Sequence, residues 1–390
     1  MISVLIEGWR HVSHSYALVA QSLALAALKD QEIQLYFRDL PLIGKWQGRS
    51  DVFSASEERQ LRAIPAPSPG QVFDACLRIG YPYATHLCQE ARHTWVFITC
   101  EFTELQPGFF RSAEDLQRLL QTQELQVSTP SNWSKRGIAN SGVAPQRIHL
   151  LAHGVDNSVF FPQPQLMQAT RQQLGLQPEH FVFFNVCGAA SPNKGLPELL
   201  GAFAALTASY PQTRLLIKVS GELYASPVEK INQYLLALPV QMQDLLRQRL
   251  LVIENPLSSQ DMAKLYCASD AYVSAYHAEA FNMPVLEAIA CGLPVICTAN
   301  GPTDDFTRPE FARRISAQEH VASVEVDGKT VRSGSLMPDF DHLLSLLEEV
   351  VQDQRLAQQA KQAGPTFVAV EYSWTQICQR FKMQVQSLLS

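Results

Sequence analysis

The sequence is short of several things, and each shortage excludes a class of protein. No window approaches eighteen uninterrupted apolar residues, which argues against a transmembrane helix, and the mean hydropathy is −0.05. Basic residues are not in excess. There are 31 Lys and Arg against 37 Asp and Glu, a formal charge of −6, so nucleic acid is not expected as a partner. The 8 cysteines form no Cys-x-x-Cys pair and no zinc-ligand spacing, so they read as reduced core thiols and not as metal ligands. The opening run Met1-Ile-Ser-Val-Leu-Ile-Glu7 has no basic segment before it and meets an acid at once. It reads as a strand and not as a signal peptide, and a cytoplasmic location is expected. Internal repeats and low-complexity tracts are missing too.

What is present is the composition of a folded globular protein, 46% hydrophobic and 17% charged, and 390 residues suit two domains of nearly equal size. Strand-like and helix-like patterns alternate along most of the chain. Residues 2–7 form an apolar strand, residues 8–16 a polar loop, and residues 16–28 repeat apolar positions at helical spacing, which makes a first βα unit. Further strands are expected at 34–38, 74–79, 94–100, 125–130 and from Ile148, with Ser131 capping a helix after the fifth. Between Asp39 and Asp74 the sequence reads as a long irregular region punctuated by Pro65, Pro67, Pro69 and Gly70. A linker around residues 160–165 separates the halves. The second half opens on Phe181-Val-Phe-Phe-Asn-Val-Cys187, a continuous apolar strand of the kind buried on both faces of a parallel sheet. Strands at 215–219 and 250–254 follow.

The most informative stretch is 269–306. An apolar run, Ala271 to Val273, breaks into a polar loop; Pro284 then opens a helix that ends at Gly292, and residues 293–296 start another strand. Parallel strands need such crossovers, and ligands in open α/β sheets sit beyond the strands' carboxyl ends, where Glu279 and Asn282 are placed. Glu279 and Glu287 can both face one ligand. A carboxylate near a helix N-terminus suits a diol such as a ribose or sugar ring, and the backbone of Gly301, Pro302 and Thr303 suits a phosphate. The competing reading makes the two glutamates solvated charges.

The run Glu279-Ala-Phe-Asn-Met-Pro-Val-Leu-Glu287-Ala-Ile-Ala-Cys-Gly-Leu-Pro-Val-Ile296 resembles the Glu-x7-Glu donor motif of retaining, family-4-like GT-B glycosyltransferases. Scattered points agree: residues 130–133 resemble a Pro-Ser-x-Trp helix start, Ala152-His-Gly-Val-Asp156 an interdomain loop, and residues 372–381 a closing Ser-Trp helix. The resemblance implies an α/β, GT-B fold of two Rossmann-like domains facing across a cleft. Residues 1–160 would form the acceptor domain and 161–372 the nucleotide-sugar donor domain, with a C-terminal helix at about 373–390 crossing back.

The same resemblance implies that Glu279 contacts the donor sugar, Glu287 the ribose, and Lys194 the diphosphate, with Phe281, Asn282, Gly188, Gly301, Pro302 and Thr303 around the donor. Family members commonly carry Gly-Arg-x-x-x-x-Lys-Gly where this chain has Gly188-Ala-Ala-Ser-Pro-Asn-Lys194-Gly195, so Ala189 replaces an arginine. Lys218, near its strand's end, is the expected substitute cation. In the N-terminal half, His14 is expected to assist at the transferred sugar, with Ser15, Tyr16 and Glu101 on the acceptor side; Ser15 capping the helix and Glu101 as a plain loop carboxylate are the alternatives. Glu104 shares that edge.

The expected activity is transfer of a sugar from a nucleotide-sugar to an acceptor hydroxyl, retaining and metal-independent, with no cofactor. The acceptor stays open among lipid, glycan, small molecule and protein. No Asp-x-Asp or His/Cys cluster stands at a donor position, and Asp304-Asp305 read as solvated loop carboxylates. The alternatives are an inactive binding subunit, which Ala189 favours, and a GT-B nucleotide-sugar epimerase.

Overall fold

The computed structural model describes residues 1–12, 14–43, 48, 52–221, 223–224, 226–326 and 329–389, with side chains of 324–332 left aside. The chain divides into two compact units. One comprises Met1–Asp156, Val321–Gly334 and Tyr372–Ser390; the other comprises Asn157–His320 and Ser335–Glu371.

The first unit alternates strands and helices: β1 (Ile2–Gly8), α1 (Ser15–Ala27), β2 (Ile33–Asp39), α2 (Ala55–Ala63), β3 (Phe73–Ile79), β4 (Ala91–Phe97), α3 (Ala113–Gln121), β5 (Leu125–Thr129), α4 (Asn132–Asn140) and β6 (Ile148–Leu150). The strands pair in parallel in the order β2-β1-β3-β4-β5-β6. Strand order therefore reverses beside β1, and the loops leaving β1 and β3 part there, the position where open α/β sheets bind ligands.

The second unit runs α5 (Pro164–Gln173), β7 (Phe181–Val186), α6 (Leu196–Ser209), β8 (Thr213–Lys218), α7 (Pro227–Leu236), α8 (Val240–Arg247), β9 (Leu250–Ile253), α9 (Ser259–Ala268), β10 (Ala271–Ser274), α10 (Met283–Ala290), β11 (Val295–Thr298) and β12 (Ala312–Ile315). Its parallel sheet reads β9-β8-β7-β10-β11-β12, the doubly wound dinucleotide-fold order, with the switch between β7 and β10. The strand β7 is buried at Val182, Phe183 and Phe184, as its unbroken apolar run demands. A hairpin of β13 (Ala317–Val326) and β14 (Lys329–Pro338) follows, then α11 (Phe340–Gln352), α12 (Gln354–Glu371) and α13 (Trp374–Leu389).

The last helix belongs with the first unit. Lys382 Nζ lies 2.8 Å from both Asp30 and Glu32, and Gln379 donates to Asp30 at 2.7 Å. Its approach is close at Gly154, where an added Cβ would stand 2.8 Å from the Trp374 ring. No described helix is long and apolar enough to cross a membrane.

The structure differs from the sequence reading in three places. The irregular region expected between β2 and β3 contains α2, held by a capping box in which Ser54 and Glu57 satisfy each other's backbone; the Ser54-x-x-Glu57 spacing was the available signal. Residues 44–47 and 49–51 of that region lie outside the description. Helix α1 is capped by His14, whose Nδ1 accepts from the Tyr16 N–H at 3.3 Å, while Ser15 is already helical. The hairpin is the third difference, and its sequence signal is the Asp327-Gly328 pair between two runs of strand-forming residues.

Among the described glycines the closest approach is at Gly195, which sits at φ 65° with Ala275 O only 1.7 Å from where a Cβ would be. Gly195→Ala is expected to destabilise the second unit by about 3 kcal/mol or more, since neither clashing group is a side chain that can turn away. Urea denaturation followed by Trp and Tyr fluorescence checks this; an unchanged midpoint would refute the packing described.

Candidate active site

At the β7/β10 switch, the loops 188–195 and 275–282 lock together through their backbones. The N–H groups of His277 and Ala278 donate to the Asn193 carbonyl at 2.8 and 3.2 Å. The Asn193 amide returns a bond to the Ala278 carbonyl at 3.1 Å. Gly195 in the left-handed region lets the first loop turn into α6 against Ala275. The consequence is a short bridge across the switch: Lys194 Nζ lies 2.7 Å from Glu279 Oε1, with the two side chains 20% and 15% exposed. A cation and a carboxylate, both reachable from solvent, therefore stand together at the sheet's ligand edge.

Glu287 projects from α10. It accepts the Tyr266 hydroxyl from α9 at 2.7 Å, and burial pushes its carboxyl up to about 7 despite that bond. Tyr266, fully buried, holds Glu287 through this bond, and its spacing in the sequence is that of an ordinary core aromatic. The other expected donor residues are placed as follows. Asn282 sits at φ 73° and turns its amide inward to Ser274 Oγ at 2.9 Å, so the side chain is structural and the left-handed backbone starts α10. Phe281 is buried against Phe306, with ring centroids 4.8 Å apart. Gly188 has the Tyr224 ring 3.1 Å from its notional Cβ.

Lys218 is buried, and its ammonium donates to the Val219 carbonyl. Lys230 of α7 reaches the carbonyl of Ala189 at 3.4 Å, a cation beside that loop that the sequence reading did not weigh. The turn at Gly301, Pro302 and Thr303 forms a short 3-10 helix under which the Tyr276 hydroxyl bonds Thr303 Oγ1 at 2.8 Å and Thr298 O at 3.0 Å. Its side chains are consumed internally, leaving backbone as what it offers. Asp304 accepts the Asn300 N–H at 3.0 Å and pairs with Arg314 at 3.5 Å, so it is tied into the turn and is not a loose loop charge.

The remaining expected residues lie in the first unit. His14 stacks on Tyr16 with centroids 5.6 Å apart, and burial holds its imidazole down to about 4, so it is neutral at physiological pH. Tyr16 Oη bonds Tyr83 Oη at 2.6 Å and Thr99 Oγ1 at 2.9 Å, and the Glu101 carbonyl accepts from Trp133 at 2.8 Å. Ser15 is exposed. Among the described residues, Glu7, Cys76 and Cys88 cluster at metal-ligand spacing. Glu7 is already taken by Arg38 at 2.9 Å and Arg78 at 2.7 Å, and two guanidinium groups make this a poor seat for a cation.

Residues 167–365, just over half of the chain, match the family described as glycosyl transferases group 1. The chain belongs to this family. It is similar to the mannosylfructose-phosphate synthase of Agrobacterium fabrum, 24% identical over 250 residues that cover 64% of this chain and 50% of that protein. The D-inositol 3-phosphate glycosyltransferase of Thermobispora bispora is 29% identical over 237 residues, covering 59% and 48%. The chain thus spans about half the length of the curated relatives it matches. The solved structure of Anabaena HepE with UDP-glucose aligns over 99% of this chain and 100% of that one, with TM-score 0.68 at 15% identity. That likeness establishes the GT-B fold. In family terms, the matched region contains Lys194, Glu279 and Glu287.

The Glu287 carboxyl ties stability to pH. Its folded value near 7 exceeds the ordinary 4.5, so the folded state keeps a proton that the unfolded state has lost between those values. Stability should fall as pH rises from 4.5 to 7, by at most about 3 kcal/mol. Glu287→Gln is expected to stabilise the protein at pH 8 and to lose that advantage by pH 4, measured by urea midpoints across pH; a constant difference would refute it.

Proposed function

We propose that the protein is a glycosyltransferase that moves a sugar from a nucleotide-sugar donor to an acceptor hydroxyl, with retention of configuration and without a metal. The observation that carries this reading is the Lys194–Glu279 pair at the β7/β10 switch. Glycosyl transfer leaves negative charge on a departing diphosphate, and an ammonium held in place by a locked loop stabilises that charge without reorganising. Glu279 accepts hydrogen bonds from sugar hydroxyls, and Glu287, steadied by Tyr266, accepts them from the ribose. HepE was solved with UDP-glucose, which makes that compound the first donor to test.

In the resting site the cation and the carboxylate satisfy each other. Donor entry exchanges this pair for two others: ammonium with phosphate, carboxylate with hydroxyls. Charge-assisted bonds of this kind are worth about 1.5–3 kcal/mol each. Lys194 serves as the electrostatic partner of the leaving group, which is the ground for proposing metal independence. His14, kept neutral, acts as a hydrogen-bonding group and not as a charge.

One observation favours a second reading, a binding subunit without turnover: with Ala189 in place of an arginine, Lys194 is the one cation in the sequence of the 188–195 loop. A panel of nucleotide sugars with EDTA, scored by thermal shift and by release of nucleoside diphosphate, separates the two. The expected result is stabilisation by one donor and multiple turnovers. Glu279→Ala and Lys194→Ala are expected to lower turnover at least 100-fold, roughly 3 kcal/mol, with little change in melting temperature. Binding without turnover would leave the subunit reading, and an equal loss of stability would assign the pair to folding.

A further inference from the structure

The helix pair that holds Glu287 also brings two thiols together. Of the 8 cysteines, all unbridged, Cys267 is the one that is not buried. It lies in the last turn of α9, and Cys291 closes α10. The Cys291 thiol donates to the Cys267 sulfur, so the two meet across the helix pair. The linker packs against both ends. The Phe161 carbonyl accepts from the Cys267 thiol at 3.5 Å, and Pro162 Cγ lies 3.3 Å from where a Cβ of Gly292, the neighbour of Cys291, would stand.

The two sulfurs have unequal chemistry. At Cys267 the hydrogen bond from Cys291 outweighs burial and, helped by the Gln163 backbone N–H, holds the thiol below its usual value. At Cys291 burial pushes the thiol well up, and the proton it shares with Cys267 adds to that. One sulfur is therefore a reachable nucleophile and the other a protonated partner in contact with it. The chain has a second thiol pair, Cys76 and Cys88, with sulfurs within 4.8 Å of each other. Cys88, lowered to about 7 by its bond from Cys76, matches Cys267 in charge but not in access, since both members of that pair are buried.

The Cys267–Cys291 contact flanks the Tyr266–Glu287 bond. Tyr266 precedes Cys267 on α9, while Glu287 and Cys291, four residues apart, share a face of α10. A covalent sulfur–sulfur bond is shorter than a thiol hydrogen bond, so closing it draws the end of α9 toward the end of α10. Both cysteines sit at helix ends, where backbone yields more readily than in mid-helix. The Tyr266 hydroxyl, 2.7 Å from Glu287, moves with its neighbour.

We propose that Cys267 and Cys291 form a modification site, a dithiol that a hydroperoxide oxidises to a disulfide, and that the closed bridge weakens donor binding through Glu287. The Cys267 thiolate attacks a peroxide oxygen: an S–O bond forms, the O–O bond breaks, and hydroxide leaves and takes up the proton that Cys267 released. The Cys291 sulfur then attacks the sulfenic sulfur. The S–S bond forms, the S–O bond breaks, and the departing hydroxide leaves as water with the Cys291 proton. In sum, two thiols and one peroxide give a disulfide and two waters, and a dithiol reductant reverses the change. The donor half rests on the transferase reading above; the thiol half is independent of it.

The test treats the reduced full chain with hydrogen peroxide, blocks remaining thiols with N-ethylmaleimide and maps peptides by mass spectrometry. The expected result is a linked Cys267–Cys291 peptide that forms ahead of any other pair and is lost on adding dithiothreitol. In Cys291→Ser, dimedone should capture a sulfenic acid at Cys267. The oxidised protein should show a donor KM raised about tenfold, the loss of one such hydrogen bond, and dithiothreitol should restore it. Cys267→Ser should keep the reduced protein's donor KM before and after peroxide.

Absence of the linked peptide, or a Cys76–Cys88 link that forms first, overturns the site. A complete bridge with an unchanged donor KM overturns the coupling. If no donor binds, the transferase reading fails by itself, the peptide map still decides the site, and urea midpoints across pH decide the coupling. Burial raises the Glu287 carboxyl and the Tyr266 bond opposes that. Loss of this bond on oxidation should carry the fall in stability to higher pH than in the reduced protein, and an unchanged window overturns the coupling.

Discussion

The structure of the donor-side site depends on a backbone approach at one residue. Where Gly195 passes the Ala275 carbonyl there is no room for a Cβ, and the positive φ of that residue turns the chain from the loop into α6. Everything chemical at the β7/β10 switch follows from this closeness. With the loops in contact, Asn193 ties them together through its carbonyl and amide, and Lys194, between Asn193 and Gly195, lies 2.7 Å from Glu279. A looser turn would leave the lysine a flexible surface cation and the glutamate a solvated charge.

The same rule operates twice in the chain. In each unit the strand order reverses once, and at each reversal two loops leave neighbouring strands at the sheet's carboxyl edge. The second unit furnishes its reversal with a cation and carboxylates, the first with stacked and hydroxyl-bonded aromatic rings and a neutral imidazole. The topology sets where a ligand is met; the side chains set what kind. On the proposed reading, charge at the second unit's reversal suits a diphosphate and ribose.

How much of this was legible in the sequence depends on what kind of order a residue takes part in. The β7 strand was readable because its burial on both faces demands an unbroken apolar run, and α4 because Ser131 caps it, accepting from the Ser134 N–H. Glu279 and Glu287 were readable because a loop, a proline-opened helix and a glycine stop surround them. The Lys194–Glu279 contact was not, since it is a matter of two loops 85 positions apart. Asn282 illustrates the opposite failure: a polar residue at the right edge, its amide spent on Ser274 because the left-handed backbone turns it inward. Tyr83 and Thr99 are hidden in the sequence for the same reason as Tyr266, that an inward hydroxyl network looks in sequence like ordinary core.

The resting electrostatics bear on the missing arginine. A half-buried site with several unpaired cations would be costly to fold, because desolvated charge without a partner is unfavourable. Here the ammonium of Lys194 is balanced by Glu279, that of Lys218 is bonded to a backbone carbonyl, and Glu287 holds its proton near neutral pH. The Lys194 charge is therefore balanced before a donor arrives, and on the proposed reading its contribution to affinity is a difference between pairs exchanged and not a sum of pairs formed. Lys230, reaching the Ala189 carbonyl from α7, stands where a cation can serve the same loop while its stem remains anchored on a helix. On the proposed reading, donor recognition relies on exchange at Lys194 and on the hydroxyl contacts of the two glutamates, which favours selection by the sugar and ribose over selection by phosphate charge alone.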